Sequence, residues 1–114
     1  MISSELLKGS MITLVLKTLQ RKSMYGYQIM KELGNASGGH IDVKEGTLYP
    51  ILHSLETDGA VESEWSQDHG ERRRKYYKLT KKGRALLKEK SGQWDAFRKV
   101  IDQVLAAERN AYEV

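Results

Sequence analysis

The stretch from Glu45 to Val61, EGTLYPILHSLETDGAV, limits the fold more than any other part of the chain. Leu48, Ile51, Leu52 and Leu55 recur at helical spacing and form one apolar stripe. Thr47, Tyr49, Pro50, His53 and Ser54 fall largely outside that stripe. Gly59 stands where a glycine closes a helix, and Val61 opens a different pattern. The stretch therefore reads as a short amphipathic helix with a hard stop. The spacing predicts a start between Lys44 and Thr47 and an end near Asp58, with Pro50 able to bend it. The outer face is polar and aromatic but largely uncharged, which is unusual for a solvated surface and suits the edge of a base pair. The alternative is a core helix that supports something else.

The flanking sequence sharpens this. Ala60 to Ser66 reads as a strand anchored by Val61 and Trp65. Gln67-Asp68-His69-Gly70-Glu71 is turn chemistry, and Arg74 to Leu79 returns as a second strand with Tyr77 and Leu79 on one face. Two strands joined by a short polar turn predict a β-hairpin. Its tip and return strand carry Arg72, Arg73, Arg74 and Lys75. The basic run continues through Lys78, Lys81, Lys82, Arg84, Lys88 and Lys90 against the single acid Glu89. On a chain whose net charge is only +4, this is a local basic block, as a polyanion-binding surface requires, although a solvated helix face has the same composition.

Before the central helix, Ser4 can cap a first helix from Glu5 to Gln20. Its apolar residues wrap most of the way round, so it faces its own domain and a second surface, such as another subunit. A second helix runs from Tyr25 to Ala36, with Gly26 placed to allow close approach, and Asn35 to Gly39 end it in a loop. After the hairpin, Thr80 can cap a last helix from Lys81 to Tyr112. Trp94, Phe97, Ile101 and Val104 step by three and four residues like a coiled-coil seam; Leu87 extends it backward and Leu105 widens it. One small domain cannot bury such a seam, and pairing with a second copy would.

Several function classes fit poorly. With no cysteine in 114 residues, disulfides, thiolate chemistry and cysteine-type zinc sites are excluded. His40, His53 and His69 have no metal-ligand spacing, so neither a metal nor a cofactor is expected. Catalysis lacks a nameable nucleophile and base; Glu62 and Glu64 share a strand face but suit a solvated surface. The longest apolar run, Met11 to Leu16, is too short to span a bilayer, and the start lacks the marks of a signal peptide. A soluble, cytoplasmic protein without a membrane partner is expected.

Three helices followed by a two-stranded hairpin is the winged helix-turn-helix order, in which the third helix enters the major groove. At this point the chain resembles the PadR-like transcriptional regulators over nearly its whole length. Tyr25-Gly26-Tyr27 is similar to the second-helix signature of that family. Gly46-Thr47-Leu48-Tyr49-Pro50 with Leu52, Leu55-Glu56 and Gly59 is similar to its recognition-helix signature. Arg74-Lys75-Tyr76-Tyr77 with Leu79-Thr80 and Gly83 is similar to its wing. The resemblance implies a homodimeric DNA-binding repressor of the short subgroup, held together by one C-terminal helix. A tryptophan at the Trp94 position in that subgroup can stack on flat aromatic ligands in a pore between subunits.

The expected architecture is mainly α with a small β-hairpin: a winged helix-turn-helix DNA-binding domain over residues 1–80 and a C-terminal dimerisation helix over 81–114. Thr47, Tyr49 and His53 are expected to reach bases or phosphates, with Lys44 at the helix start. Tyr25 and Tyr27 can offer hydroxyls to phosphates, and Arg72, Arg73, Arg74 and Lys75 can neutralise phosphates from the wing. Tyr49 can alternatively be core. The dimer interface is expected at Leu87, Trp94, Phe97, Ile101, Val104 and Leu105. Trp94 and Phe97 are candidates for binding a small aromatic effector, or are simply interface core. The DNA partner is expected to be a pseudo-palindromic double-stranded operator. The competing function is a non-specific architectural nucleic-acid binder.

Overall fold

The structure, a computed structural model, describes residues 2–66 and 73–111. The elements are α1 (Ser4–Lys8), α2 (Met11–Leu19), β1 (Met24–Tyr25), α3 (Gly26–Ala36), α4 (Glu45–Thr57), β2 (Val61–Trp65), β3 (Lys75–Leu79) and α5 (Lys81–Ala111). This is a mainly helical winged helix-turn-helix with a small antiparallel sheet and a long C-terminal helix.

The single first helix expected over 5–20 is two helices. Ser10 donates from both its backbone N–H and its hydroxyl to the Leu7 carbonyl, at 3.0 and 2.9 Å. That local bond competes with the helical ladder, and Gly9 beside it lowers the cost of leaving the helix. The cap is Ser3 rather than Ser4, its hydroxyl accepting from the Leu6 N–H at 3.4 Å. The break explains why the apolar residues of 5–20 do not lie on one face of a single helix. Met11, Val15, Leu16 and Leu19 of α2 are buried, whereas Leu6 of α1 is 70% exposed.

The central helix forms as its stripe requires. Leu48, Leu52 and Leu55 are buried, with Ile51 packed at the edge of the same core. The helix runs through Pro50 from Glu45 to Thr57. It ends at Gly59, whose φ of 79° only glycine adopts without strain. The Gly59 N–H donates to the Glu56 carbonyl at 3.0 Å and the Ala60 N–H to the Leu55 carbonyl at 2.8 Å. This double closure turns the chain directly from α4 into β2.

The sheet has three strands rather than two, in the order β1-β3-β2. Met24 pairs with Tyr77 and Tyr25 with Tyr76, while β2 and β3 run in register from Val61–Leu79 to Trp65–Lys75. Met24, Val61, Tyr77 and Leu79 bury their side chains. The wing is therefore bonded through its middle strand to the residue that precedes α3.

Thr80 caps α5, its hydroxyl oxygen accepting from the Gly83 N–H at 3.1 Å. The same hydroxyl donates to the Gly59 carbonyl at 2.6 Å, tying the start of α5 to the end of α4. A side chain on Gly83 would overlap the Ala60 carbonyl oxygen, so α5 can cross here only on glycine. Leu87, placed on the dimer seam by its spacing, is 4% exposed and belongs to the core of its own chain. The seam and the core-facing stripe share one helical period, so spacing alone could not separate them. Among the described residues no helix is long and apolar enough to cross a membrane.

Candidate nucleic-acid interface

The outward face of α4 is open. Glu45, Gly46, Thr47, Tyr49, Pro50, His53, Ser54 and Thr57 are all exposed, in contrast to the buried leucine stripe on the opposite face. Proline has no N–H, so Pro50 leaves the Gly46 carbonyl without its helical donor, on the open side. The polar and aromatic residues that sequence placed outside the stripe thus stand together on one convex surface.

Tyr49 is both partly exposed and packed. Its ring is 43% exposed, yet a Cβ built on Gly26 would overlap its hydroxyl. Tyr49 is therefore neither core nor free surface: the side chain fixes how closely α3 and α4 approach and still presents an edge to solvent. This is the packing that Gly26 makes room for.

A cleft of about 660 Å³ separates α4 from the wing, and Tyr25, Gly26, Tyr27, Glu45, Tyr49, Trp65, Arg73, Arg74, Lys75 and Tyr77 line it. Tyr27 is 61% exposed at its rim. Tyr25 stands edge-on to Tyr76, ring centres 5.4 Å apart, and the Arg74 guanidinium lies 4.6 Å from the Tyr25 ring centre. Arg73 lies 5.5 Å from the Trp65 ring centre. Cation–π seating of this kind holds a guanidinium in place without neutralising it. Among the described residues, neither arginine is paired with a carboxylate. The result is an aromatic wall carrying two positive charges, facing the same side as the open face of α4.

The other expected contacts divide. Lys44 precedes α4 and pairs with Asp42 at 3.0 Å, both well exposed, an arrangement that holds the ammonium weakly. Thr47 and His53 are exposed on α4. Lys75 lines the same cleft but is about one-third exposed and paired: its ammonium lies 3.6 Å from Glu56 and 5.6 Å from the Tyr77 ring centre. Arg72 lies outside the described residues.

Two residues of this region were missed in the sequence as site residues. Strand spacing makes Trp65 an anchor, but Val61 alone fills that role; Trp65 is 50% exposed and forms part of the cleft. Alternation along β2 puts Val61, Ser63 and Trp65 on one face, and only Val61 reaches the core. Glu56 was read only as part of a motif. Its carboxyl is held below the usual range, first by the Ser63 hydroxyl that donates to it and then by Lys75. Burial pushes the Tyr77 phenol up.

Away from this face, α5 carries an exposed apolar row. Phe97, Val100, Ile101, Val104 and Leu105 are 41–61% exposed. Trp94 is half-buried and stands edge-on to Phe97, ring centres 5.8 Å apart. It lines a groove of about 440 Å³ with Ile2, Leu6, Leu14 and Arg98. Arg98 and Lys99 both pair with Asp95, at 3.2 and 3.1 Å, and hold its carboxyl below the usual range. No group of three or more metal-ligating side chains occurs among the described residues.

Residues 15–89 match the model of the transcriptional regulator PadR-like family. An uncharacterised protein of Lysinibacillus sphaericus is 30% identical over 102 residues, which cover 90% of this chain and 94% of that one. The solved structure of a transcriptional regulator from Clostridium thermocellum is 32% identical and superposes with a TM-score of 0.83, covering 90% of this chain and 97% of its own. The fold is also that of Bacillus subtilis PadR in complex with operator DNA, at 23% identity and a TM-score of 0.63, over 69% of this chain and 45% of that one.

Proposed function

The chain belongs to the PadR-like family of transcriptional regulators, and from that premise we propose that it is a sequence-specific, homodimeric DNA-binding repressor. The observation that carries the proposal is the open polar face of α4 beside a cleft that holds the guanidinium groups of Arg73 and Arg74 against aromatic rings. A groove-reading helix needs exposed hydrogen-bonding side chains, and the adjoining backbone needs fixed positive charge. In this reading Thr47, Tyr49 and His53 meet bases, while Tyr25, Tyr27, Lys44, Arg72, Arg73 and Arg74 position phosphates.

The second part concerns assembly. The row Phe97, Ile101, Val104 and Leu105 with Trp94 is the proposed dimer interface, because a contiguous exposed apolar face of this kind is rarely left in water. The chain then divides into a DNA-binding unit over residues 1–80 and a dimerisation helix over 81–114, with the first turns of α5 buried in the DNA-binding unit through Leu87. Two α4 helices in a symmetric dimer call for a pseudo-palindromic operator with half-sites about one helical turn apart. Release of the operator by a flat aromatic effector stacked on Trp94 and Phe97 completes the proposal. The edge-on pairing of those rings serves equally well as interface packing.

Selection of duplexes from a random pool with purified protein tests the reading directly. A palindromic site with one-turn spacing is expected, and recovery without sequence preference would favour the architectural alternative. Tyr49→Ala should then weaken the selected site more than random duplex. Equal losses on both would remove Tyr49 as a base reader.

A further inference from the structure

We infer that Glu56 is a positioning residue for DNA binding, which locks the wing to the recognition helix α4; the inference rests on the DNA-binding reading above. Glu56 lies in the last turn of α4, and its two oxygens serve different strands. Oε2 accepts from the Ser63 hydroxyl of β2 at 2.5 Å, and Oε1 faces the Lys75 ammonium of β3 at 3.6 Å. Both members of the ion pair are only about one-third exposed, at 33% and 32%, unlike the well-exposed pairs elsewhere on the surface. Among the described residues this is the one ion pair between α4 and the sheet.

A carboxylate beside a face that meets phosphates weakens binding by simple repulsion. It also occupies Lys75, which would otherwise add a positive charge to the wing. Glu56 therefore lowers non-specific attraction twice over, and its geometry supplies a compensating role. The sheet is joined to the start of α3 by backbone pairing of β1 with β3. Glu56 adds a charged tie from the sheet to the end of α4. With both ties in place, the angle between α4 and the wing is fixed before DNA arrives. A fixed angle favours the duplex whose groove and adjoining backbone are both met, and it gives little on any other sequence. The carboxylate trades general affinity for discrimination.

The test is Glu56→Gln, which keeps an acceptor for Ser63 but releases Lys75. Affinity for the selected operator is expected to fall roughly two- to fivefold, the scale of one partly exposed ion pair. Affinity for random duplex should hold or rise, and its salt dependence should steepen by about one as Lys75 becomes available. Glu56→Lys and Lys75→Glu should each lower discrimination, and the double exchange should recover part of it. Amide hydrogen exchange over 61–65 and 75–79, read without DNA, should quicken in Glu56→Gln and slow again in the exchange pair. Unchanged amide exchange would overturn the lock. So would a rise in operator and random affinity together, which would make Glu56 only a charge brake. A wild-type protein that binds no duplex would sink the DNA-binding reading and this role with it, and the DNA-free exchange data tell that failure apart from failure of the lock.

Discussion

The body of the molecule and the far half of α5 are built from the same apolar residue types at the same helical spacing, yet they treat them oppositely. In the body, Val15, Leu16, Ile29, Leu48 and Leu52 are fully buried. In α5 beyond Leu87, Phe97 is 53%, Val104 59% and Leu105 61% exposed. Burial of one such side chain stabilises by about 1.5–3 kcal/mol, so the body gains from its stripe within one chain and α5 does not. The difference teaches that periodicity records which face seeks cover but not who supplies it. The body covers the stripe of α4 with its own residues and leaves the polar face of α4 open; the open face of α5 is apolar and, like the exposed Leu6 of α1, calls for a second surface.

The comparison breaks most visibly on large-to-small substitution. Leu52→Ala should destabilise by about 2–5 kcal/mol in denaturant unfolding, because a fully buried side chain leaves a cavity. Val104→Ala should leave unfolding at low protein concentration within about 0.5 kcal/mol of wild type, as surface substitutions do. It should instead weaken self-association in sedimentation. If both variants lose stability equally in the monomer, α5 is covered by its own chain and the contrast fails.

Next in size is Gly26→Ala, which tests the packing of α3 on α4. The new Cβ would meet the Tyr49 hydroxyl and the ring carbons behind it. Overpacking of this kind costs about 1–3 kcal/mol unless the tyrosine moves out. Thermal unfolding should show the loss, and adding Tyr49→Ala should recover most of it. No loss in the single variant would mean that Tyr49 is free to swing from the cleft. Its place beside α3 would then be incidental.

What the sequence disclosed follows the same division. The leucines of α4 and the residues Tyr77 and Leu79 carried their pattern openly, since each repeats with the period of its element. The break after Gly9 was hidden because the apolar residues on either side keep helical spacing across it. The strand β1 is two residues long, too short to show alternation, and it exists only because β3 is there to pair with it. Leu87 was assigned to the seam because core stripe and seam coincide in phase at that turn. Glu56 and Trp65 were missed for a different reason. Their roles come from partners on neighbouring elements, and no local pattern records a partner that folding brings in.

A smaller effect sharpens the polar side of the comparison. Arg73→Ala should weaken binding to every duplex alike and lower the salt slope by about one, since a phosphate contact carries no sequence information. Its guanidinium stacks on Trp65. Trp65→Ala should therefore weaken binding in the same sequence-independent way, with a smaller change in slope because no charge is removed. A loss confined to the operator in either variant would move the pair from phosphate positioning to base reading.

The smallest expected effect is linked to protons. Glu56 is held below the usual carboxylate value of 4.5 by the Ser63 hydroxyl and by Lys75, with a lesser contribution from the nearby His53. The unfolded chain therefore takes up its proton before the folded one does. The stabilisation from this carboxylate is complete above about pH 4.5 and is lost as pH falls through the lower folded value. Because the pair is one-third exposed, solvent screening limits it to under about 1 kcal/mol. Asp95 adds a similar trend from an exposed site on α5, so the wild-type profile alone does not isolate the wing. The difference between wild type and Glu56→Gln does. Their unfolding free energies should converge on acidification, because the neutral carboxyl and the amide leave Lys75 equally unpaired. A gap that stays constant from pH 6 to pH 3 would mean that shape, rather than charge, is what Glu56 contributes between α4 and the sheet.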